Sequence, residues 1–178
     1  MGSSYNIAQR ATSSRLEYLL EGIEDLGTSL VRALAGSLCL VSVSSNVIGG
    51  GCLCGSVRYE ATGPPYNITH CHCSDCRGGA GAPFVTWASF RREDFRFTTG
   101  RPRVLPWAGR LRSFCPQCGT SLTFMTAADA AEVDVTVCSF DHPETVTPAD
   151  HTWVEDRLPW IRVTDDLPTY RQTRANHA

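Results

Sequence analysis

Seven cysteines arranged in three tight groups constrain this chain more than any other feature. They are Cys52-Leu-Cys54, Cys71-His-Cys73-Ser-Asp-Cys76 and Cys115-Pro-Gln-Cys118. Close spacing lets several sulfurs converge on one small ion, and zinc takes thiolates at about 2.3 Å in a tetrahedron. The competing use of cysteine is a disulfide framework. The count of 9 in 178 residues is odd, and residues two apart, such as Cys52 and Cys54, rarely meet disulfide geometry. A disulfide scaffold is also usually shorter and carries a secretory leader. Here the N-terminus shows no charged region followed by an apolar one. The nearest apolar stretch, Leu30 to Val43, lies deep in the chain and is broken by Arg32, Ser37 and Ser42. It is too short and too mixed to span a membrane. Metal binding is therefore expected over disulfides, in a cytoplasmic protein.

The formal net charge of -2 and pI near 6.2 exclude a nucleic-acid binder that works through bulk positive charge. All 16 basic side chains are arginine. With no lysine, no side-chain Schiff base can form with a carbonyl substrate. An aldehyde would have to be handled by a thiol, a metal or water.

Three regions follow from the patterning. Residues 1–47 read as an N-terminal extension: a polar start, an amphipathic helix from Ser14 to about Ala35, and a small-residue, Ser-rich linker. Leu16, Leu19, Leu20, Ile23, Leu26, Leu30, Val31 and Leu34 mark the apolar face of that helix. The face fits packing on its own domain, a homodimer contact, or an extension without a role. From Ile48 the period becomes that of strands. Val57, Tyr59 and Ala61 alternate with polar residues, and Phe84–Phe90, Phe95–Thr98, Arg103–Trp107, Leu111–Phe114, Ser121–Thr126 and Glu132–Phe140 read as further short strands. Gly100, Gly109 and Gly119 punctuate them. The expected fold is mainly β, built of short antiparallel strands, over residues 48–170. Residues 171–178 form a tail. A β unit of this size has a limited core, so metal staples make physical sense.

Several residues carry individual expectations. Trp87, Trp107, Trp153 and Trp160 are expected in the core or in a pocket wall. Cys138 is expected as a small buried hydrophobe on a strand, and Cys39 as a free thiol near the linker. Gly78-Gly-Ala-Gly-Ala82 reads as a loop that lets a ligand approach the backbone; without lysine it is no phosphate loop. In extended chain His72 points away from Cys71 and Cys73. His72 and His151 are expected in hydrogen-bonding roles, and His70 is a weak competitor as a metal ligand.

The ordered set Gly50-Gly-Cys52-Leu-Cys54-Gly-Ser-Val-Arg-Tyr59, Cys71-His-Cys73-Ser-Asp-Cys76-Arg77, Arg112-Ser-Phe114-Cys115-Pro-Gln-Cys118-Gly119-Thr120, His151, Leu158-Pro-Trp160 and Asp166-Leu-Pro168-Thr-Tyr170 resembles the glutathione-dependent formaldehyde-activating enzyme family, which includes the centromere protein V relatives. The likeness runs from about Ile48 to Tyr170. It implies a β-tent fold with two zinc ions per chain. Cys52, Cys54, Cys115 and Cys118 would hold a structural zinc, and Cys71, Cys73 and Cys76 a catalytic one with an open fourth position. It further implies carbon–sulfur lyase chemistry of the S-(hydroxymethyl)glutathione synthase type, in formaldehyde detoxification. The partners would be glutathione or a similar thiol and formaldehyde, with no nucleic acid and no membrane. Glutathione carries two carboxylates that suit arginine forks. Arg58, Arg77, Arg110 and Arg112 lie near the cysteine groups in sequence, and Arg77 and Arg112 match family positions. The same resemblance also fits a non-catalytic zinc interaction module or a glutathione carrier. A redox switch built on the clustered thiols is a third reading.

Overall fold

Alternation decides where the strands form. The computed structural model describes residues 47–174. The expected helix over 14–35, the linker and Cys39 lie outside the described residues, as does the end of the tail. In chain order the strands are β1 (Val47–Gly51), β2 (Arg58–Thr62), β3 (Tyr66–Cys71), β4 (Val85–Arg91), β5 (Phe95–Thr99), β6 (Arg103–Trp107), β7 (Arg110–Phe114), β8 (Ser121–Met125), β9 (Glu132–Thr136) and β10 (Asp150–Thr152). A short helix, α1 (Ser74–Ala80), follows β3.

The strands make two sheets. One has the order β1-β2-β5, the other β10-β3-β4-β9-β8-β7-β6. Every neighbouring pair is antiparallel except β10 with β3, which is parallel. The expectation of antiparallel strands throughout is corrected at that edge. β10 arrives from a distant part of the chain and not through a hairpin, so direction is not imposed on it by a tight turn.

The main core lies between the two sheets. Val57 and, on β2, Tyr59 and Ala61 meet Ala88, Phe90, Leu122, Val133 and Val135 from β4, β8 and β9. Tyr59 is 1% exposed and its hydroxyl is hydrogen-bonded to Ser139 Oγ at 2.6 Å. This ring explains Gly50 of β1. A Cβ on Gly50 would stand 2.3 Å from Tyr59 Oη and 2.6 Å from the Ser139 carbonyl oxygen. A second, smaller cluster of Cys71, Cys76, Val85 and Trp87 sits beside the first.

Four local expectations are corrected. Residues 78–80 are the end of α1, not a loop; the helix closes at Gly81 in the left-handed region (φ 62°). Its nucleus is a side-chain cap, because Cys73 Sγ accepts a hydrogen bond from Cys76 N, which offsets the poor helix propensity of Gly78 and Gly79. Cys138 is exposed, because β9 ends at Thr136 and a 3-10 turn over Val137–Ser139 rotates it outward. Trp107 and Trp160 are 61% and 65% exposed. Trp107 ends the edge strand β6, whose residues are all exposed. No helix among the described residues is long and apolar enough to cross a membrane.

Candidate metal centres and the adjoining cavity

Two turns bring the first centre together. Cys52 and Cys54 lie between β1 and β2, and Cys115 and Cys118 between β7 and β8. The four sulfurs lie within 4.8 Å of one another. Backbone amides point at them: Val57 N donates to Cys52 Sγ at 3.2 Å and Gln117 N to Cys115 Sγ at 3.4 Å. The second turn is closed by Gly119 N to Cys115 O at 2.9 Å, with Gly119 at φ 75°, a conformation that glycine adopts freely. Leu53 N donates to Thr120 Oγ1 at 3.1 Å and ties the two turns together. The Thr120 hydroxyl holds the Cys118 thiol down to about 5. Burial raises the Cys52 thiol, but hydrogen bonds from Val57 N, Ser56 and Cys115 outweigh it and hold the thiol at about 7.

The second centre is local in sequence. Cys71 ends β3, Cys73 caps α1 and Cys76 sits in its first turn. Their sulfurs also lie within 4.8 Å. The Trp87 indole N–H on β4 donates to Cys76 Sγ at 3.4 Å. Cys73 is held down to about 2 by hydrogen bonds from Cys71 and Cys76. Cys71, the partner in hydrogen bonds with Cys73 and Cys76 and itself buried, is pushed far up. Three converging thiols cannot all ionise without a cation among them, so this donor set fits a thiophilic metal. None of the eight described cysteines is in a disulfide.

The two groups are thus brought together as the resemblance implies, and they differ in one respect. The three-cysteine group opens onto a cavity of about 440 Å³ that is also lined by Trp87, Arg110, Arg112, Asp134, Trp153 and Arg174. None of the four cysteines of the other group lines it. Arg110 is paired with Asp75 at 2.5 Å and Arg174 with Asp150 at 2.6 Å. Arg112 makes no ion pair among the described residues. Its guanidinium lies over the Phe124 ring, 5.0 Å from the centroid, and Gly79 leaves room for it, since a Cβ there would meet Arg112 Nη1 at 3.0 Å. Arg77 is elsewhere: it donates to the His72 carbonyl oxygen at 3.1 Å and lines a separate groove with Leu158 and Trp160. Arg58 is paired with Asp141.

Asp134 and Arg174 were not singled out from the sequence. Asp134 lies on β9 directly across from Ser89 of β4, whose hydroxyl donates to it at 2.6 Å. Burial raises the Asp134 carboxyl above the usual carboxylate range. An acid in the alternating strand Glu132-Val-Asp-Val135 looks like a solvent-facing residue, and only the position of the cavity reveals otherwise. Arg174 reaches the cavity because residues 170–174 run back along the site, with Trp153 N bonded to Gln172 O at 2.9 Å.

On the opposite face of β3, the expected hydrogen-bonding histidines are linked. His72 Nε2 and His151 Nδ1 are 2.9 Å apart, and His151 Nε2 contacts Asp165 at 2.9 Å. A carboxylate only accepts, so His151 carries its proton on Nε2 and His72 donates to Nδ1. His72 Nδ1 is buried and has no partner among the described residues.

Comparison with known proteins gives the following similarities. The sequence profile of the glutathione-dependent formaldehyde-activating enzyme family matches residues 47–156. A protein of Schizosaccharomyces pombe described as an uncharacterized lyase is 27% identical over 75 residues, which cover 42% of this chain and 55% of that protein. A crystal structure of a Rhodobacter sphaeroides protein aligns with a TM-score of 0.45 and 19% identity, over 68% of this chain and 98% of that one.

Proposed function

The chain belongs to the glutathione-dependent formaldehyde-activating enzyme family, and on that premise we propose that it is a zinc-dependent carbon–sulfur lyase acting on S-hydroxymethylglutathione or the formaldehyde adduct of a related thiol, in a β-tent domain with two zinc ions. The observation that carries this reading is the asymmetry between the cysteine groups. Four sulfurs close one centre, and three open onto a cavity of a size that suits a small ligand. Cys52, Cys54, Cys115 and Cys118 would hold a structural zinc, and Cys71, Cys73 and Cys76 the second. A cation held there would supply the positive charge that keeps a nearby thiol ionised at neutral pH.

The protein's own groups account for the remaining steps. Arg112, stacked on Phe124 and without an ion-pair partner among the described residues, holds a carboxylate of the thiol substrate. Trp87 and Phe124, ring centroids 6.1 Å apart, form an apolar wall. When the substrate sulfur adds to the aldehyde carbon, a carbon–sulfur bond forms and the carbonyl π pair moves to oxygen. That oxygen must then take a proton. Asp134 lines the same cavity, and its burial favours the protonated acid, so it donates the proton; in the reverse direction its carboxylate removes it. The reading would give the chain a role in formaldehyde detoxification, expected in the cytoplasm.

The test is the rate of adduct formation and breakdown at fixed glutathione and formaldehyde, followed by magnetisation-transfer NMR with and without the zinc-loaded protein. Faster exchange with protein is expected. Equal rates with tight glutathione binding would make the protein a carrier, and equal rates without binding would remove glutathione from the reading altogether.

A further inference from the structure

The face of β3 opposite the three-cysteine cavity carries a second kind of donor set. Thr69 and Cys71 on β3, and Thr152 on β10, line the cavity. Side chains alternate along a strand, so His70 and His72 project from the other face. The parallel pairing sets His151 directly beside His70, and the two ring centroids are 4.8 Å apart. Asp165 completes the group: one ligand atom from each of His70, His151 and Asp165 lies within 4.8 Å of the others.

We propose that His70, His151 and Asp165 form a third metal site, which takes a divalent first-row transition ion through two imidazoles and one carboxylate. It is independent of the lyase reading and of the cysteine groups. Two imidazoles with a carboxylate suit zinc, cobalt, nickel or iron(II) and not calcium or magnesium.

The surroundings favour a ligand role over a plain hydrogen-bonded pair. A metal-bound imidazole generally has its other nitrogen fixed by a neighbour. Both histidines meet that condition. His70 Nδ1 is bound to Thr86 Oγ1 at 2.8 Å, which leaves Nε2 open. His151 Nδ1 faces His72 Nε2 at 2.9 Å, which leaves Nε2 toward Asp165. Backbone bonds fix His151 at its base: His151 N donates to Pro168 O at 2.9 Å and Tyr170 N to His151 O at 2.8 Å. These same bonds hold the 165–170 segment, and with it Asp165, against β10. Solvent reaches the site through Asp165, which is 43% exposed, while His151 is 5% exposed. Ligands about 2.1 Å from one ion stand roughly 3.0–3.5 Å apart, so the group must close by about 1 Å, within reach of side-chain rotation.

Proton bookkeeping is simple. The ion takes the place of the proton on His151 Nε2, and that proton ends on His72 Nδ1 by exchange with solvent, with no net release. His151 then carries its proton on Nδ1, donated to His72 Nε2, and His72 carries its own on Nδ1. His72 Nδ1 is buried and without a partner among the described residues, so its N–H would be unpaired and binding is expected to be weaker than at thiolates.

The experiment uses full-length protein with its cysteine centres filled with zinc. It is equilibrated by dialysis against submillimolar cobalt(II), and zinc and cobalt per chain are counted against the dialysate. The expected result is an additional cobalt per chain without loss of zinc. Its visible spectrum should show weak d–d bands and no thiolate-to-cobalt band in the near ultraviolet. Asp165→Asn and His70→Ala should each lose this cobalt and keep their zinc. Absence of extra cobalt in the wild type, a thiolate band on the bound cobalt, or retention of the extra cobalt by both variants would overturn the proposal. The wild-type count and spectrum decide the matter even if a variant folds poorly.

Discussion

Replacing Trp87 with phenylalanine isolates one interaction at the three-cysteine centre. The indole N–H donates to Cys76 Sγ at 3.4 Å, and Trp87 is 5% exposed. Phenylalanine keeps a ring facing Phe124 but removes that donor. A hydrogen bond to a charged acceptor contributes about 1.5–3 kcal/mol net, and 1.4 kcal/mol is a factor of ten. If Cys76 holds a metal as thiolate, its sulfur loses this much stabilisation, so metal affinity at the centre should fall about 10- to 100-fold. The smaller ring leaves a void that costs the fold roughly 1–2 kcal/mol, too little to unfold a domain of ordinary stability. The assay is competition with a chromogenic chelator on zinc-loaded protein. Cys52, Cys54, Cys115 and Cys118 have no hydrogen bond to Trp87, so their zinc is the internal standard. Easier extraction from one site with the other unchanged is the expected result. Equal weakening of both sites would show that the substitution acts through global stability. An unchanged affinity would show that the N–H···S contact contributes nothing to metal binding.

Two other outcomes test separate parts of the structure. Cys118→Ala leaves three sulfurs where four converge; since domain stabilities are about 5–15 kcal/mol and a structural zinc contributes much of that, the variant should lose its zinc and melt at a far lower temperature by circular dichroism. The Asp134 carboxyl is raised by burial, so folding favours its protonated form; its contribution to stability is present below the ordinary value of 3.8 and is lost as pH rises through the higher folded value. Asp134→Asn, which retains an oxygen for Ser89, should therefore melt higher than the wild type at neutral pH and show little advantage at acid pH; an unchanged difference across that range would place Asp134 in solvent.

The strands that carry large alternating side chains were legible from sequence, and those without them were not. Val57, Tyr59 and Ala61 announced β2, and Val133 and Val135 announced β9. β1 is three-fifths glycine, and the Tyr59 ring packs directly against Gly50. β3 begins after two prolines and contains Asn67 at φ 50°, within a register shift, which breaks the period of two. β10 has only three residues. α1 contains two glycines and forms because Cys73 caps it. For the site, the cysteine spacings named all seven sulfurs, but only the folded chain distinguishes Arg112, over the cavity, from Arg77, on another groove. The histidine group was invisible for a topological reason. His70 and His151 are 81 positions apart, and nothing but the parallel pairing of β10 with β3 makes them neighbours.

That edge pairing also sets an order of assembly on the ribosome. The four-cysteine centre has all its donors once Cys118 has emerged. The three-cysteine cavity has its sulfurs earlier, yet Trp153 and Arg174 close its wall only when the last described residues appear. At about 5–20 residues per second, the 56 residues between Cys118 and Arg174 take roughly 3–11 s to make. During that interval the nascent chain displays a hexapeptide of three uncovered thiols beside an already completed knuckle. If both centres take metal, the three-cysteine one stays open to oxidants and to competing metals until the C-terminal segment arrives.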